Sequence, residues 1–588
     1  MRRLKIFPYI LIVSLLFQTS CSKDWLEIDP LSFFAPENIY TNEAGFEALL
    51  VTMRKSLNYD FSGYRNPIAM DHAYSDIAVA LTQVDFKRNT PSSSAFWPLL
   101  SMFNKSYEFI KNANVLISRI DNVKWENEAV RNRLLAEAYW HRAYWYYRLV
   151  HSYGDVPWIG EELIGAKLDF ATYSQSAILK KIQSDLEYSV QWLPEKPAVL
   201  GNLTKGAANH LLAKVYLANL EYDKSIAAAS SVINGPYALM KERFGVDAND
   251  PSRNVLWDLH RRDNKNNPQN TETIYTTVDR PDAPPGAWSD GAYTMRNYTP
   301  SWWKILDGRG SRACNWNTPT GDTLGIGNGD VRTNDYFHYQ IWNGPNYSWQ
   351  TTTDLRRADI NWIEMGKMVS EIKGCLNGSP MNGLQLNKSL YGSLVDTTDT
   401  WYPWPIYKTF IPTPNTVQPW GGQSDMYVFR LAETYLLRAE AYYWKGQNSL
   451  AADDINMVRK RAKAPLISAS DVTIDYIFDE RARELYIEEP RHSEMVRVSF
   501  IMAKENKNGY SLANFHQKNW YHDRVMRVNE HYRTPLFTWF ANVADMQPYH
   551  TLWPIPQSVI TANTLGRINQ NVGYDGAANN VPPLETIE

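Results

Sequence analysis

The sequence predicts a mainly α-helical fold, in which tetratricopeptide-like helical hairpins form a scaffold and a long loop-rich lobe contains a few short strands. Apolar residues recur every three or four positions in two blocks of the chain, and this spacing is lost between residues 249 and 424. Within each block, pairs of such segments are separated by short turns. Two-helix repeats stack in this way, although the strict signature of the repeat is absent and the array is degenerate.

The first 20 residues are expected to be a signal peptide. Arg2, Arg3 and Lys5 precede an apolar run over residues 6–17 that is too short to span a bilayer as a mature helix. Cys21 follows at the position that bacterial lipoprotein processing acylates, and several acyl chains hold a protein on a membrane more firmly than one. We therefore expect Cys21 to be a lipid anchor. The alternative is a plain secreted protein with a leftover thiol.

Residues 21–248 are predicted to form the N-terminal part of the scaffold. One helical face ends before Gly154, with Pro157 just beyond: Leu135, Tyr139, Ala143, Tyr146 and Val150. A face upstream predicts an antiparallel partner helix: Phe103, Tyr107, Ile110, Asn114 and Ile117. Two shorter faces flank a turn at Glu221-Tyr222: Ala207, Leu211, Val215 and Ala218, then Ile226, Ala229 and Ile233.

Residues 249–424 are predicted to be an irregular, loop-rich, ligand-binding lobe. Gly, Pro, Asn and Trp alternate there, in stretches such as DAPPGAWSDGAY and WNGPNYSWQ. A structureless connection of this length is normally either disordered or functional, and disordered segments are poor in aromatic residues. Asp322, Asn328 and Asp330 are interpreted as solvated turn residues, because their spacing is not that of an EF-hand calcium loop.

Residues 425–588 are predicted to complete the same scaffold. Two helical faces lie on either side of a turn at residues 445–447: Leu431, Tyr435, Ala439 and Tyr442, then Ala451, Ile455, Val458 and Ala462. Small residues at the crossing points let the two helices approach closely. This pair therefore repeats the design of the N-terminal hairpins.

Composition and motifs exclude several classes of function. A net charge of -3 provides no basic field for nucleic acid, which is not expected as a partner. The 36 tyrosines and 22 tryptophans supply flat faces with polar edges, which suit sugars and partner proteins alike. The sequence contains no HExxH motif, no nucleophile elbow and no P-loop, so we expect no cofactor, no metal and no enzymatic activity.

Four segments spread over nearly the whole mature chain share a family likeness: RLLAEAYWHRAYWYYRLVHSYGDVPWI at 133–159, RLAETYLLRAEAYYWKGQNSLAADDINMVRKRA at 430–462, IFDERARELYIEEPRHSEMVR at 477–497 and LWPIPQSVITANTLGRINQNVGY at 552–574. In this order they resemble the SusD/RagB family of Bacteroidetes outer-membrane lipoproteins. The sequence departs from the family at Glu489-Pro490-Arg491, where Glu-Gly-Arg is common. Because proline lacks an N–H, the helix running in from Ile477 is expected to end there.

The resemblance implies both function and partners. Members bind a nutrient, usually a glycan, outside the cell, and act as a lid on a SusC-like TonB-dependent transporter. For this chain it implies a role in starch or polysaccharide utilisation, with an oligosaccharide or polysaccharide ligand and a place on the outer membrane at the cell surface, anchored through Cys21. Charged residues within the four segments, such as Glu137, Glu433 and Glu440, are interpreted as ion-pair and cap residues of packed helices rather than catalytic groups.

Candidate ligand contacts are aromatic rings in loops and the polar groups near them. A sugar ring lays its apolar C–H face on an indole or a phenol, while its hydroxyls need polar partners at the edge. Tryptophans among Gly, Pro and Asn are the candidate platforms: Trp288, Trp316, Trp342, Trp349 and Trp401. Trp303 and Trp362 are expected to be buried.

Polar candidates come from two further loops. Tyr293 and Arg296 follow Gly291 in a loop that resembles a ligand-contacting loop of the family. Asp71 and Asp76 bound a loop ahead of the first long hairpin that is expected to complete the site.

Two other functions are also compatible with the sequence. A peptide could be the cargo instead, as in some relatives, and would rely on backbone hydrogen bonds more than on stacked rings. A lipid-anchored glycoside hydrolase would need a pair of carboxylates at a defined separation, and nothing in the loops nominates that pair.

Overall fold

The computed structural model describes residues 36–80, 86, 90–92, 97–280, 289, 291–299, 327, 329–362, 388–389, 392–393, 407–409, 411, 421–533 and 546–588. The signal peptide and Cys21 lie outside the described residues, as do Trp288, Trp303, Trp316 and Trp401.

The protein is mainly α-helical. Its described α-helices are α1 Pro36–Ile39, α2 Glu43–Ser56, α3 Asn58–Phe61, α4 Pro67–Ala73, α5 Trp97–Arg119, α6 Glu128–Tyr153, α7 Gln175–Trp192, α8 Lys205–Ala218, α9 Tyr222–Ile233, α10 Val255–Leu259, α11 Thr294–Tyr298, α12 Asp335–His338, α13 Leu431–Trp444, α14 Asn448–Arg461, α15 Ile474–Leu485, α16 Arg491–Lys504, α17 Trp520–Val528 and α18 Gln557–Ala562. Within these residues, no helix is both long and apolar enough to cross a membrane.

The predicted hairpins are confirmed. Helices α5 and α6 pack together, as do α8 and α9, and α13 and α14. Helix α6 ends at Gly154, whose φ of 72° lies in the region that favours glycine, and the Gly154 N–H donates to the Val150 carbonyl. Helix α7, which the sequence analysis did not identify, packs against both α6 and α8 and joins the first two hairpins into a layer.

Short strands form antiparallel pairs in the described residues, and two of these pairs connect the helical scaffold with the middle of the chain. The described strands are β1 Ala78–Ala80, β2 Val156–Pro157, β3 Thr172–Tyr173, β4 Thr273–Thr276, β5 Val331–Thr333, β6 Lys388–Ser389, β7 Gly392–Ser393 and β8 Tyr427–Arg430. They form two-stranded antiparallel pairs: β1 with β5, β2 with β3, β4 with β8 and β6 with β7. The pairs β1/β5 and β4/β8 attach the middle segment to both helical blocks.

The chain turns sharply between α15 and α16. Helix α15 ends at Leu485, and Ile487 adopts a left-handed φ of 70°. Pro490 is the N-cap of α16, where its missing N–H costs no helical hydrogen bond. The helix therefore ends before the proline, as expected.

The interior combines a large apolar core with many paired charges. One contiguous core includes residues from both helical blocks and from the middle segment, and Trp140, Trp145, Trp362 and Trp553 are among its largest buried side chains. Trp362 is thus buried, as predicted. Charged residues of the family-like segments pair inside the scaffold, for example Arg497 with Glu440 at 2.6 Å and Arg54 with Glu137 at 2.5 Å. These ion pairs confirm the interpretation of Glu137 and Glu440 as ion-pair residues of packed helices.

Candidate functional site

The loop between α3 and α4 meets the segment that leads into α11. The Gly63 N–H donates to the Gly291 carbonyl at 2.8 Å, and the Asn66 side-chain amide donates to the Ala292 carbonyl at 3.2 Å. Asn66 also caps α4 by accepting from the Ala69 N–H, and Pro67 occupies the first turn of that helix. The Gly-Tyr-Arg-Asn-Pro sequence of this loop is therefore a turn followed by a helix start.

This junction brings two predicted site residues together with three that the sequence analysis did not select as contacts. Tyr64, Arg65, Tyr293 and Arg296 are each partly exposed. The buried carboxylate of Asp330 accepts from the Tyr64 hydroxyl at 2.7 Å and from Arg65 Nη2 at 3.2 Å. We call these five residues the two-tyrosine surface.

Cation–π contacts organise the two-tyrosine surface. The Arg296 guanidinium carbon lies 4.6 Å from the centroid of the Tyr64 ring, and that of Arg65 lies 4.7 Å from the same centroid. The Arg65 backbone N–H donates to the Asn297 side-chain oxygen at 3.2 Å, which holds the loop against α11. Arg65 Nε and Nη2 both donate to Asp330 Oδ1, so the Tyr64 ring, the Arg65 guanidinium and the buried carboxylate form one connected group.

Tyr293 is presented by an uncommon backbone conformation. It is the N-cap of α11 with φ 52° and ψ 21°, in the left-handed region. A non-glycine residue there is uncommon, and such residues cluster at functional sites. The Tyr293 carbonyl accepts from the Asn297 N–H at 2.8 Å, so the first turn of α11 holds the backbone of this tyrosine in place.

Two glycines beside Tyr293 allow two backbone segments to approach each other closely. Gly291 has φ 98° and Gly421 has φ 112°, and the Ala292 N–H donates to the Gly422 carbonyl at 3.1 Å. A Cβ atom on Gly291 would lie 2.7 Å from the Gly421 carbonyl oxygen. A side chain at this position would therefore push the two segments apart and displace Tyr293.

We expect Gly291→Ala to lower both stability and ligand affinity. The matched control is Gly576→Ala, because Gly576 has nearly the same φ of 96° but nothing within 4 Å of the added Cβ. Both variants carry a left-handed penalty of about 1–2 kcal/mol, and only Gly291→Ala adds a backbone clash. Urea unfolding of the two variants measures the difference. Equal midpoints would contradict the close packing described here.

Asp71 and Asp76 are not part of an exposed surface, and their predicted role at the edge of a sugar is wrong. Both are fully buried. Asp71 accepts from Arg148 Nη2 at 2.7 Å, and Asp76 accepts from Arg491 Nη2 at 2.8 Å and Arg524 Nε at 2.7 Å. The two guanidinium groups hold the pKa of Asp76 well below its usual range despite its burial. These carboxylates join α4 and the loop after it to the scaffold.

Trp342 is likewise buried, with 3% of its surface exposed, and is wrong as a candidate platform. Its indole N–H donates to the Phe337 carbonyl at 2.7 Å, and its ring meets Trp362 edge-on at 5.8 Å. Glycine, proline or asparagine near a tryptophan in the sequence does not ensure that its ring is exposed, because here the preceding turn over residues 340–342 directs the ring inward. The interpretation of Asp330 as a solvated turn residue is also wrong, because it is 3% exposed beneath Tyr64.

Trp349 lies at the edge of a separate aromatic cluster. It is partly exposed, its ring centroid is 4.9 Å from that of Tyr339, and the Arg357 guanidinium lies over it at 4.9 Å. One face of Trp349 is thus supported from within the protein, and the residue stays a candidate platform.

No cluster of three or more potential metal-ligating side chains occurs in the described part of the chain.

Comparison with family models places nearly the whole chain in known families. A model described as the SusD family matches residues 253–574, and a model described as "starch-binding associating with outer membrane" matches residues 24–217. SusD-like protein P2 of Formosa agariphila is 28% identical over 244 residues, which make up 39% of this chain and 46% of that protein. The chain therefore matches less than half the length of this curated relative.

Solved structures share the fold over most of their length. A laminarin-binding SusD-like protein has a TM-score of 0.62 at 21% identity, covering 91% of this chain and 100% of that one. Surface glycan-binding protein A from Bacteroides thetaiotaomicron, in complex with laminarihexaose, has a TM-score of 0.60 at 15% identity, covering 90% and 98%. At these identities the likeness establishes the fold alone.

Proposed function

The chain belongs to the SusD family, and on that basis we propose that it is a non-catalytic, cell-surface lipoprotein that binds an oligosaccharide or polysaccharide. The bound glycan is then delivered to a SusC-like TonB-dependent transporter in the outer membrane. Cys21 carries the lipid anchor in this proposal. Relatives named for binding laminarin or starch, and one in complex with laminarihexaose, support a glycan as cargo.

The observation that carries the proposal is the two-tyrosine surface. Tyr293 is partly exposed on a fixed backbone, and the Arg65 and Arg296 guanidinium groups lie over the Tyr64 ring of the adjoining loop. A sugar ring needs this combination, an aromatic face for its C–H groups and donors at the edge for its hydroxyls. Arginine donors also suit a glycan that carries carboxylates.

Glycoside hydrolysis is a poorer fit to the same surface. Most such enzymes use two carboxyl groups that flank the scissile bond, about 5–10 Å apart. The two-tyrosine surface as described contains one carboxylate, Asp330, which Tyr64 and Arg65 already engage. Binding without cleavage is therefore the function we propose.

Calorimetric titration of the purified protein against a panel of soluble ligands tests the proposal. The panel contains an α-glucan, laminarin, an acidic polysaccharide and a mixture of short peptides. Because each stacking contact adds only about 0.5–1.5 kcal/mol, we expect saturable binding of one glycan class, with a Kd of roughly 10 µM to 1 mM. Binding of peptides with no heat from any glycan would overturn the proposal in favour of a peptide carrier.

A further inference from the structure

The most exposed large apolar side chain in the described part of the chain belongs to Ile164, which is 94% exposed. It lies with Leu163 and Leu168 in a loop over residues 161–170, between β2 and β3. Leu565 lies beside this loop, because its backbone N–H donates to the Leu168 carbonyl at 2.8 Å. All four side chains are more than a third exposed. We call Leu163, Ile164, Leu168 and Leu565 the Ile164 patch.

The tip of this loop is apolar and is flanked by charged residues. Single exposed apolar side chains are ordinary in soluble proteins, but several in one segment mark a surface that contacts another apolar body. The tip reads Leu-Ile-Gly-Ala and carries no charge. On either side of it, Glu162 pairs with Arg119 at 2.5 Å and Lys167 pairs with Asp169 at 3.2 Å, and the exposed Glu161 precedes the tip. Apolar groups with charged groups beside them suit the interface between water and lipid.

The loop begins against the C-terminal end of α5. The Glu162 N–H donates to the Ser118 hydroxyl at 3.0 Å, and the Glu162 carboxylate accepts from Arg119 Nε at 2.5 Å and Nη2 at 2.9 Å. Ile164 follows Glu162 by two residues, and two residues of extended chain span about 7 Å. The position of the Ile164 patch is therefore tied to this end of α5.

The start of the described chain packs against the same end of α5. The Tyr40 ring stacks on Phe46, with centroids 5.9 Å apart, and Phe46 packs in one apolar cluster with Ile120, which directly follows α5. Burial raises the pKa of Tyr40, and the nearby charges of Arg119 and Glu162 act on the same phenol. The N-terminal segment and the loop of Ile164 thus meet at one end of the molecule.

An anchor on Cys21 brings lipid to this end of the molecule. Cys21 precedes Pro36, the first described residue, by 15 positions, and a chain of this length spans at most about 50 Å. A tether of this kind raises the local concentration of the lipid surface, so that a weak apolar contact is enough to form. Helix α2 has 14 residues and rises about 21 Å from the Tyr40 end toward the loop of Tyr64. The Ile164 patch therefore shares no residue with the two-tyrosine surface and lies away from it.

We propose that the Ile164 patch lies against the lipid surface of the membrane that holds the anchor. Its side chains enter the headgroup layer, to a depth of about 5–10 Å. The inference rests on the acylation of Cys21 in the function proposed above. It adds a second membrane contact, which fixes the orientation of the protein on the membrane. A lipid surface is favoured over a protein partner because the anchor holds lipid within reach of this patch.

Fluorescence quenching in proteoliposomes tests the inference. The acylated full chain carries Ile164→Cys, labelled with an NBD dye, in a background of Cys314→Ser and Cys375→Ser. The vesicles consist of phosphatidylethanolamine and phosphatidylglycerol and include a lipid with a nitroxide just below its headgroup. We expect the dye to emit at a shorter wavelength, and to be quenched at least twofold more strongly, than the same dye at Leu466→Cys. Leu466 is exposed in the loop between α14 and α15.

A second variant separates an apolar contact from mere closeness to the vesicle. With the dye moved to Leu565→Cys, Ile164→Asp should reduce the quenching at least twofold, because a carboxylate at the tip resists transfer into the headgroup layer. Leu466→Asp is the matched control and should not change the quenching. Both substituted side chains are exposed, so neither change disturbs the core.

Four results would overturn the inference. Equal emission and quenching at residues 164 and 466 of the acylated protein, or unchanged quenching in Ile164→Asp, would remove the lipid contact and leave the proposed function standing. Mass spectrometry that finds Cys21 without acyl chains would overturn the proposed anchor and this inference with it. A shielded dye at residue 164 in a Cys21→Ser chain that forms a dimer without vesicles would assign the patch to a second copy of the protein.

Discussion

Replacing Asp76 with alanine should destabilise the protein by about 3–5 kcal/mol rather than remove ligand binding from an intact fold. Asp76 is fully buried and accepts from both Arg491 and Arg524. Without this carboxylate, two buried guanidinium groups lose a shared counter-ion. Arg491 then keeps Glu489, and Arg524 keeps Asp475 and Asp479, which are partly exposed. Breaking a buried ion pair costs far more than breaking a surface pair. Asp76, which resembles an exposed loop residue in the sequence, thus connects parts of the helical scaffold.

Urea unfolding followed by circular dichroism measures the effect of this substitution. Asp223→Ala is the matched control, because Asp223 also pairs with a cation, Lys445, but its side chain is 81% exposed. We expect the control to stay close to the wild-type midpoint. An Asp76→Ala protein with wild-type stability and lost glycan affinity would instead return Asp76 to the binding site.

Acidification from pH 7 to pH 5 should also destabilise the protein strongly. Burial lowers the pKa of four histidines, to about 4 for His72 and His492 and about 3 for His141 and His151. The unfolded chain takes up protons near pH 6.5, whereas the folded chain does not, so stability falls as pH drops from 6.5 toward these folded values. At pH 5 each buried histidine accounts for up to about 2 kcal/mol of lost stability.

One substitution isolates this histidine effect. Both ring nitrogens of His141 lack a hydrogen-bond partner among the described residues, so leucine can replace it without orphaning another group. His141→Leu should reduce the difference in unfolding free energy between pH 7 and pH 5 by about 2 kcal/mol. Thr564→Leu, at an exposed residue without a titratable side chain, is the control and should leave that difference unchanged. The same loss in His141→Leu and wild type would contradict neutral burial of this histidine.

The helical scaffold could be predicted because its signal is local. The faces that define α5, α6, α8, α9, α13 and α14 repeat every three or four residues, and each ends at a glycine, a turn or a polar break that lies within the same segment. Helix α7 carries such a face as well, through Ile178, Ile182 and Leu186, and could have been found in the same way.

The site was harder to predict because burial and pairing depend on distant residues. Asp71 and Asp76 have their arginine partners 77 or more positions away, so the sequence around them resembles an exposed acidic loop. Trp342 is hidden by a turn that places its indole N–H on Phe337. The sequence around Tyr64 and Arg65 does indicate an exposed turn. A glycine precedes the two residues, and an asparagine helix cap followed by proline comes directly after them.

The resemblance to the family identified two candidate residues that hydrophobic periodicity could not identify. The loop of Tyr293 and Arg296 is similar to a ligand-contacting loop of the family. The structure places Arg296 over the Tyr64 ring and Tyr293 at the N-cap of the same helix. The contribution of Tyr293 and Arg296 to binding stays a prediction, as does that of Trp349. Trp288, Trp316 and Trp401 lie outside the described residues.

The affinity of Tyr293→Ala for the glycan that binds wild type best is the most direct test of the central claim. Calorimetry should show at least a tenfold loss, about 1.4 kcal/mol, with an unchanged urea midpoint. Tyr442→Ala, at a partly exposed tyrosine on α13, should bind like wild type. Wild-type affinity in a folded Tyr293→Ala protein would contradict the claim that the two-tyrosine surface holds the cargo.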